Sequence, residues 1–140
     1  MTEIIQTSLA LAGFRILVVD DDYDSRFYIT TVLTADGAIV TTVESAAAAL
    51  EVFSELQPDI CIFDIAMPEE DGYSLIRKVR ALTRRVPAVA LTAYADPEDR
   101  IRALEAGFQI HVPKPVDPEE LVIIVANLVN LVNGNHRFKS

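Results

Sequence analysis

The sequence predicts an α/β fold, a doubly wound five-stranded parallel sheet with five helices, and three observations carry this. Short, near-continuous apolar runs alternate with helix-type segments along the chain. Acidic, hydroxyl or cationic residues stand at or just beyond the ends of four of those runs, and glycine, proline and acidic capping signals separate the segments. Apolar runs without polar alternation belong to strands buried on both faces, as in parallel sheets covered by their crossover helices.

The first strand is read at Arg15–Asp20, where Ile16, Leu17, Val18 and Val19 run unbroken and Asp20 closes the run. A helix follows from about Ser25 to Ala35, with Phe27, Ile29, Val32 and Leu33 as its inner residues and Gly37 suited to a left-handed cap. Asp22 and Asp24 read as capping acids. The second strand is Ala38–Val43. Ser45 caps a helix through Leu56 whose inner stripe includes Leu50, Phe53 and Leu56, and Pro58 ends it. The third strand is Asp59–Asp64. Met67 and Pro68 shape the loop that follows, and Glu69, Glu70 and Asp71 form its solvated part before a helix carrying Tyr73, Leu75, Ile76 and Val79.

Val86–Thr92 is the fourth strand and Ala93 to Ala95 its loop. Asp96-Pro97-Glu98-Asp99 opens a helix with an acid at the cap, proline at the first position and acids near the positive end of the dipole. Gly107 stops it, and Phe108–Val112 is the fifth strand. Asp117 and Glu120 are spaced like a capping box and open a last helix ending at about Leu131 or Val132. Residues 1–14 thus form an N-terminal extension, 15–132 the domain, and 133–140 a polar, frayed tail.

At 140 residues there is room for one domain with a core. A hydrophobic content of 51% excludes a disordered chain, and no apolar run reaches the roughly 18 residues of a membrane span. The net charge of -9, with no local basic patch, is unfavourable for binding nucleic acid, and neither nucleic acid nor a membrane is expected as a partner. The N-terminal stretch lacks the positive charge of a signal peptide, so the expected location is cytoplasmic. Cys61, the only cysteine, lies in an apolar run and is expected as a reduced core filler, which excludes a disulfide scaffold.

Asp20 with Asp21, Asp64, Thr92 and Lys114 fall at or just beyond the ends of strands one, three, four and five. In a flavodoxin-like order 2-1-3-4-5, strands one and three flank the point where strand order reverses, and ligands bind outside the carboxyl ends there. Three carboxylates so placed repel one another unless a hard cation and a lysine neutralise them, and magnesium suits carboxylate oxygens combined with a phosphoryl group. Asp64 can then act as a nucleophile that forms an aspartyl-phosphate, with Thr92 donating its hydroxyl and Lys114 its charge to phosphoryl oxygens.

The segments Ile16–Asp22 (ILVVDDD), Asp59–Gly72 (DICIFDIAMPEEDG), Pro87–Ala95 (PAVALTAYA) and Val112–Pro115 (VPKP), in this order and spacing, resemble the signatures of response-regulator receiver domains. The likeness covers about Arg15 to Val132 and is to the CheY-like, single-domain members of two-component signalling. It implies that Asp64 is the phosphoacceptor, that Asp21 and Asp64 bind Mg2+ directly, and that Asp20 acts mainly through metal-bound water. It further implies that Ala66 offers a backbone carbonyl to the metal, that Thr92 is the switch hydroxyl, that small Ala93 keeps the site open, and that Pro115 follows a cis bond. His111 occupies the place of the family's switch aromatic. That is a departure, because a buried imidazole requires a hydrogen-bond partner where an apolar ring does not.

The implied activity is a switch phosphorylated by a histidine kinase or phosphotransfer protein, a phosphoacceptor and not an enzyme, which assists its own phosphorylation and dephosphorylation. With no output domain expected after Val132, output goes to a downstream protein, or the chain serves as an intermediate carrier in a phosphorelay. An aspartyl-intermediate phosphatase is the enzyme alternative, opposed by Ala66 where such enzymes carry a second acid. Tyr94 and Ala66 lie where side chains gate water, which predicts slow loss of the phosphoryl group. The last helix carries Val122, Ile123, Val129, Leu131 and Val132 outside the stripe Leu121, Ile124, Val125, Leu128, an excess that predicts a homodimer or partner contact through this helix and the strand-five face.

Overall fold

The computed structural model describes residues 9–93 and 96–139, with the backbone alone for 133–139. Five strands and five helices alternate: β1 (Arg15–Val19), α1 (Tyr23–Ala35), β2 (Ile39–Val43), α2 (Ala46–Leu56), β3 (Ile60–Asp64), α3 (Gly72–Leu82), β4 (Ala88–Thr92), α4 (Pro97–Ala106), β5 (Ile110–Pro113) and α5 (Pro118–Lys139). All pairings are parallel, in the order β2-β1-β3-β4-β5. The fold class and strand order are those expected from the sequence.

Strand alternation divides the apolar side chains between two layers. Leu17, Val19, Cys61 and Phe63 face α2, α3 and α4 through Phe53, Leu75, Ile76, Val79 and Ala103. Ile16, Val18, Ile60, Ile62, Val89 and Leu91 face α1 and α5 through Ile29, Leu33, Leu121 and Val125. Every residue of β3 and β4 is buried, as their unbroken apolar runs require. Cys61 is a free thiol in the first layer, and burial pushes it up to about 12, so it stays protonated.

Caps are local and readable. Asp22, Ser45 and Asp71 accept from the backbone N–H of Ser25, Ala48 and Ser74, and Asp117 from that of Glu120. Asp96 stands at the cap of α4 without a side-chain cap bond. β4 begins after Pro87, which has no N–H for the ladder, and β5 begins after Phe108, whose N–H instead closes the end of α4 on Ala103.

Three expectations need correction. Phe27 is 63% exposed, because it lies two residues from the inward Ile29 and therefore on the opposite side of α1. The core stripe of α5 is Leu121, Val125 and Val129, one residue every four, while Ile124 and Leu128 are half-buried flanks. This helix continues to Lys139, past the end placed at Leu131 or Val132, since Gly134 lowers helix propensity by only about 1 kcal/mol and no proline follows.

The segment assigned to an N-terminal extension also contributes to the domain. Leu11 is fully buried among Ile16, Leu33 and Ala38, its N–H bonded to Asp36 at 3.0 Å. Gly13 donates to Gly37 at 3.0 Å, and Gly37 sits at φ +98° where an added Cβ would stand 2.8 Å from the Ala12 backbone. Leu11→Ala is expected to destabilise the fold by about 2–5 kcal/mol in chemical denaturation; a loss below about 0.5 kcal/mol would show that the segment is merely appended.

Candidate functional site

The site lies at the carboxyl ends of β1, β3, β4 and β5. Parallel pairing sets Val19 beside Phe63, so the next residues, Asp20 and Asp64, emerge side by side at the point where the strand order reverses. Asp20 is fully buried and Asp64 nearly so, whereas Asp21 is exposed. One carboxylate oxygen from each of the three lies within 4.8 Å of the others. An octahedral Mg2+ with oxygens at about 2.1 Å holds ligands about 3–4 Å apart, so this donor set fits a small hard cation after slight closure.

Asp20 is held from several directions. Its Oδ1 accepts from the Asp22 N–H at 3.0 Å, and its Oδ2 from Ser25 Oγ at 2.7 Å and Lys114 Nζ at 2.9 Å. Arg26 Nη1 donates to the Asp20 carbonyl at 2.7 Å. Lys114 also pairs with Asp64 Oδ1 at 3.3 Å and is anchored by its own N–H, which donates to the Thr92 carbonyl at 2.7 Å. The Lys114–Pro115 peptide is cis. Burial works against charge on Lys114, but the bonds and proximity of Asp20 and Asp64 outweigh it and raise its pKa. Asp64 is pushed up to about 6 by its burial and then by the neighbouring Asp20, against the pull of Lys114.

The remaining predicted residues surround this centre. Thr92 ends β4 and is buried, and Ala93 follows it at the surface. Ala66 is exposed two residues beyond Asp64. His111, in β5 beside Ala90, is partly buried, and its buried Nε2 has no hydrogen-bond partner among the described residues. Tyr94 lies outside the described residues.

Ser25, Arg26 and Gly72 were not singled out from the sequence as site residues. Ser25 and Arg26 sit on the first turns of α1, and their approach to Asp20 depends on the angle of that helix to β1. The only available signal was their short separation from Asp20. Gly72 packs so closely under the Asp64 loop that an added Cβ would stand 2.5 Å from the Asp64 carbonyl oxygen, and its N–H donates to Ile65 at 2.9 Å. A glycine is thus required for the loop to return against the end of β3.

The family model of the response regulator receiver domain matches residues 16–126. An uncharacterized 14.6 kDa protein of the sodA1 3′ region of Leptolyngbya boryana is 48% identical over 117 residues, covering 82% of this chain and 89% of that one. Regulatory protein AtoC of Escherichia coli K12 is 35% identical over 117 residues, covering 84% of this chain but 25% of AtoC. Among solved structures, the Francisella response regulator 1452 receiver domain has a TM-score of 0.80 at 29% identity, covering 84% of this chain and 98% of that one. The CheY-like receiver domain protein of Methanospirillum hungatei JF-1 has a TM-score of 0.83 at 26% identity, covering 89% and 99%. The chain belongs to the response regulator receiver domain family, whose members are phosphorylation-dependent switches of two-component systems and bind Mg2+ at an acidic pocket.

Folded Asp64 holds its proton more tightly than the usual 3.8 of the unfolded chain, so without metal the fold gains stability as pH falls through about 6. The metal-free protein should therefore melt higher at about pH 5.5 than at about pH 7.5, and Asp64→Asn should flatten this difference. Equal melting temperatures in the wild type would contradict the assignment. Because the His111 Nε2 is buried without a partner among the described residues, His111→Phe is expected to raise stability by about 1 kcal/mol in denaturant titration; a loss of that size would reveal a partner for the imidazole.

Proposed function

We propose that this chain accepts a phosphoryl group on Asp64 from a histidine kinase or phosphotransfer protein and thereby changes its affinity for a downstream protein. The observation that carries this is the convergence of Asp20, Asp21 and Asp64 with Lys114 where the strand order reverses. An Asp64 carboxylate oxygen attacks phosphorus, the donor's bond to phosphorus breaks with its electron pair leaving on the donor, and an acyl phosphate results. Lys114 supplies positive charge to the incoming phosphoryl oxygens, and the Thr92 hydroxyl offers a donor to another.

Mg2+, held by Asp21, Asp64 and the Ala66 carbonyl, would neutralise charge between the carboxylates and the phosphoryl group. Asp20 has both oxygens engaged by protein donors, which favours an indirect role in holding the ion and a direct one in holding Lys114. The chain acts as a phosphoacceptor that assists its own phosphorylation and dephosphorylation, not as an enzyme on a separate substrate. Tyr23 and Phe27, exposed and stacked at 6.3 Å beside this site, offer an aromatic platform suited to the donor protein. No helix among the described residues is long and apolar enough to cross a membrane, and a cytoplasmic setting matches a phosphodonor of this class.

Phosphorylation should alter the Thr92 and His111 side of the sheet, since both residues lie on the layer that carries α4. Intact mass after incubation with Mg2+ and acetyl phosphate tests the chemistry. A phosphate-sized gain is expected that requires Mg2+ and is absent in Asp64→Asn. The same gain in Asp64→Asn would place the phosphoacceptor elsewhere.

A further inference from the structure

The first turns of α1 fold back over the end of β1 and hold every oxygen of Asp20. The Asp22 N–H donates to Oδ1 at 3.0 Å, Ser25 Oγ to Oδ2 at 2.7 Å, and Arg26 Nη1 to the carbonyl at 2.7 Å. Two of these donors supply the partner that a buried strand end needs. The serine is different, because Oδ2 already has the charged Nζ of Lys114 at 2.9 Å. Nor is the Ser25 side chain engaged in capping the helix. Asp22 accepts from the Ser25 backbone N–H at 2.8 Å, which leaves the hydroxyl free to reach Asp20.

The doubled donation at Oδ2 matters when Lys114 shifts. Its Nζ stands between two acids, 2.9 Å from Asp20 Oδ2 and 3.3 Å from Asp64 Oδ1. When Asp64 takes a phosphoryl group, the negative charge of that side chain passes to the phosphoryl oxygens, and the ammonium is drawn after it. Asp20 is fully buried, so solvent does not reach it to replace the lysine. An ionised carboxylate stripped of a donor in such a place carries a penalty that opposes the lysine's move. The Ser25 hydroxyl keeps Oδ2 hydrogen-bonded through the exchange and lowers that penalty. There is room for the move, since Ser25 and Lys114 line one cavity of about 430 Å³ together with Tyr28 and Pro115. Tyr28, from the same helix, donates to the Val116 carbonyl at 2.9 Å and so holds the backbone beyond Lys114, which leaves the displacement to the lysine side chain.

We propose that Ser25 is a positioning residue for phosphoryl acceptance: its hydroxyl holds Asp20 Oδ2 before and after the transfer and thereby frees Lys114 to serve the phosphoryl group on Asp64. The proposal rests on the reading of Asp64 as the phosphoacceptor. Ser25 keeps its proton throughout and acts through Asp20 and Lys114. A serine that only braced the carboxylate cluster would matter equally before and after the phosphoryl group arrives, whereas one that frees the lysine matters after it.

Calorimetric titration of the full chain separates the two roles. Mg2+ is titrated alone, and then beryllium fluoride, which mimics the phosphoryl group, is titrated at saturating Mg2+. Ser25→Ala is expected to bind Mg2+ within about twofold of wild type but beryllium fluoride about tenfold more weakly, a difference of about 1.4 kcal/mol. Ser25→Thr, which keeps the hydroxyl, should restore beryllium fluoride binding to within about threefold of wild type. Equal beryllium fluoride affinity in Ser25→Ala and wild type would overturn the proposal. So would a loss of Mg2+ affinity as large as the loss for beryllium fluoride, or a Ser25→Thr protein as weak as Ser25→Ala. A wild type that binds no beryllium fluoride, or an Asp64→Asn protein that binds it as tightly, would overturn the phosphoacceptor reading itself and the proposal with it.

Discussion

The structure depends on how two carboxylates can share a water-poor site. Asp20 is fully buried and Asp64 nearly so, and the parallel register of β1 and β3 leaves them no freedom to separate. Lys114 relieves the repulsion by reaching both at 2.9 and 3.3 Å. Removing one partner from such a buried group typically costs about 3–5 kcal/mol, because the remaining charge is left unpaired. The lysine is itself fixed through the Thr92 carbonyl, so one ion-pair network ties together the ends of β1, β3, β4 and β5.

That relief is partial, and the remaining strain is what makes the site receptive. Asp64 still holds its proton up to about pH 6, which means its ionised form is poorly stabilised by the protein alone. A divalent cation completes the charge balance, and an added phosphoryl group then exchanges one anion for another beside Lys114 and Thr92. A second reservoir lies nearby. The His111 Nε2, which has no partner among the described residues, sits on the layer that carries Thr92 and α4, where a gained hydrogen bond in one state would bias that state.

Much of this was legible because each strand is named by its own residues. Unbroken apolar runs ending in Asp20, Asp64 and Thr92 specify buried parallel strands and place those side chains at one edge, and caps such as Asp22, Ser45 and Asp71 act within four residues of their partners. What escaped depends on geometry between elements. Leu11 enters the core only because Gly37 lets the chain before β1 lie against the end of α1, and Gly72 is demanded by a carbonyl eight residues earlier. Phe27 and Ile29 are both apolar, and only the docking angle of α1 decides that one is core and the other solvent-facing. Ser25 and Arg26 reach Asp20 for the same reason.

Amide NMR of the protein titrated with beryllium fluoride, a stable stand-in for the phosphoryl group, tests the central claim most directly. Shifts at Thr92, Ala93, His111 and Lys114 that need Mg2+ and beryllium fluoride together, and vanish in Asp64→Asn, are the predicted result. Spectra unchanged by the pair of additives, or changed equally in Asp64→Asn, would contradict the assignment of this carboxylate cluster as the phosphoryl site.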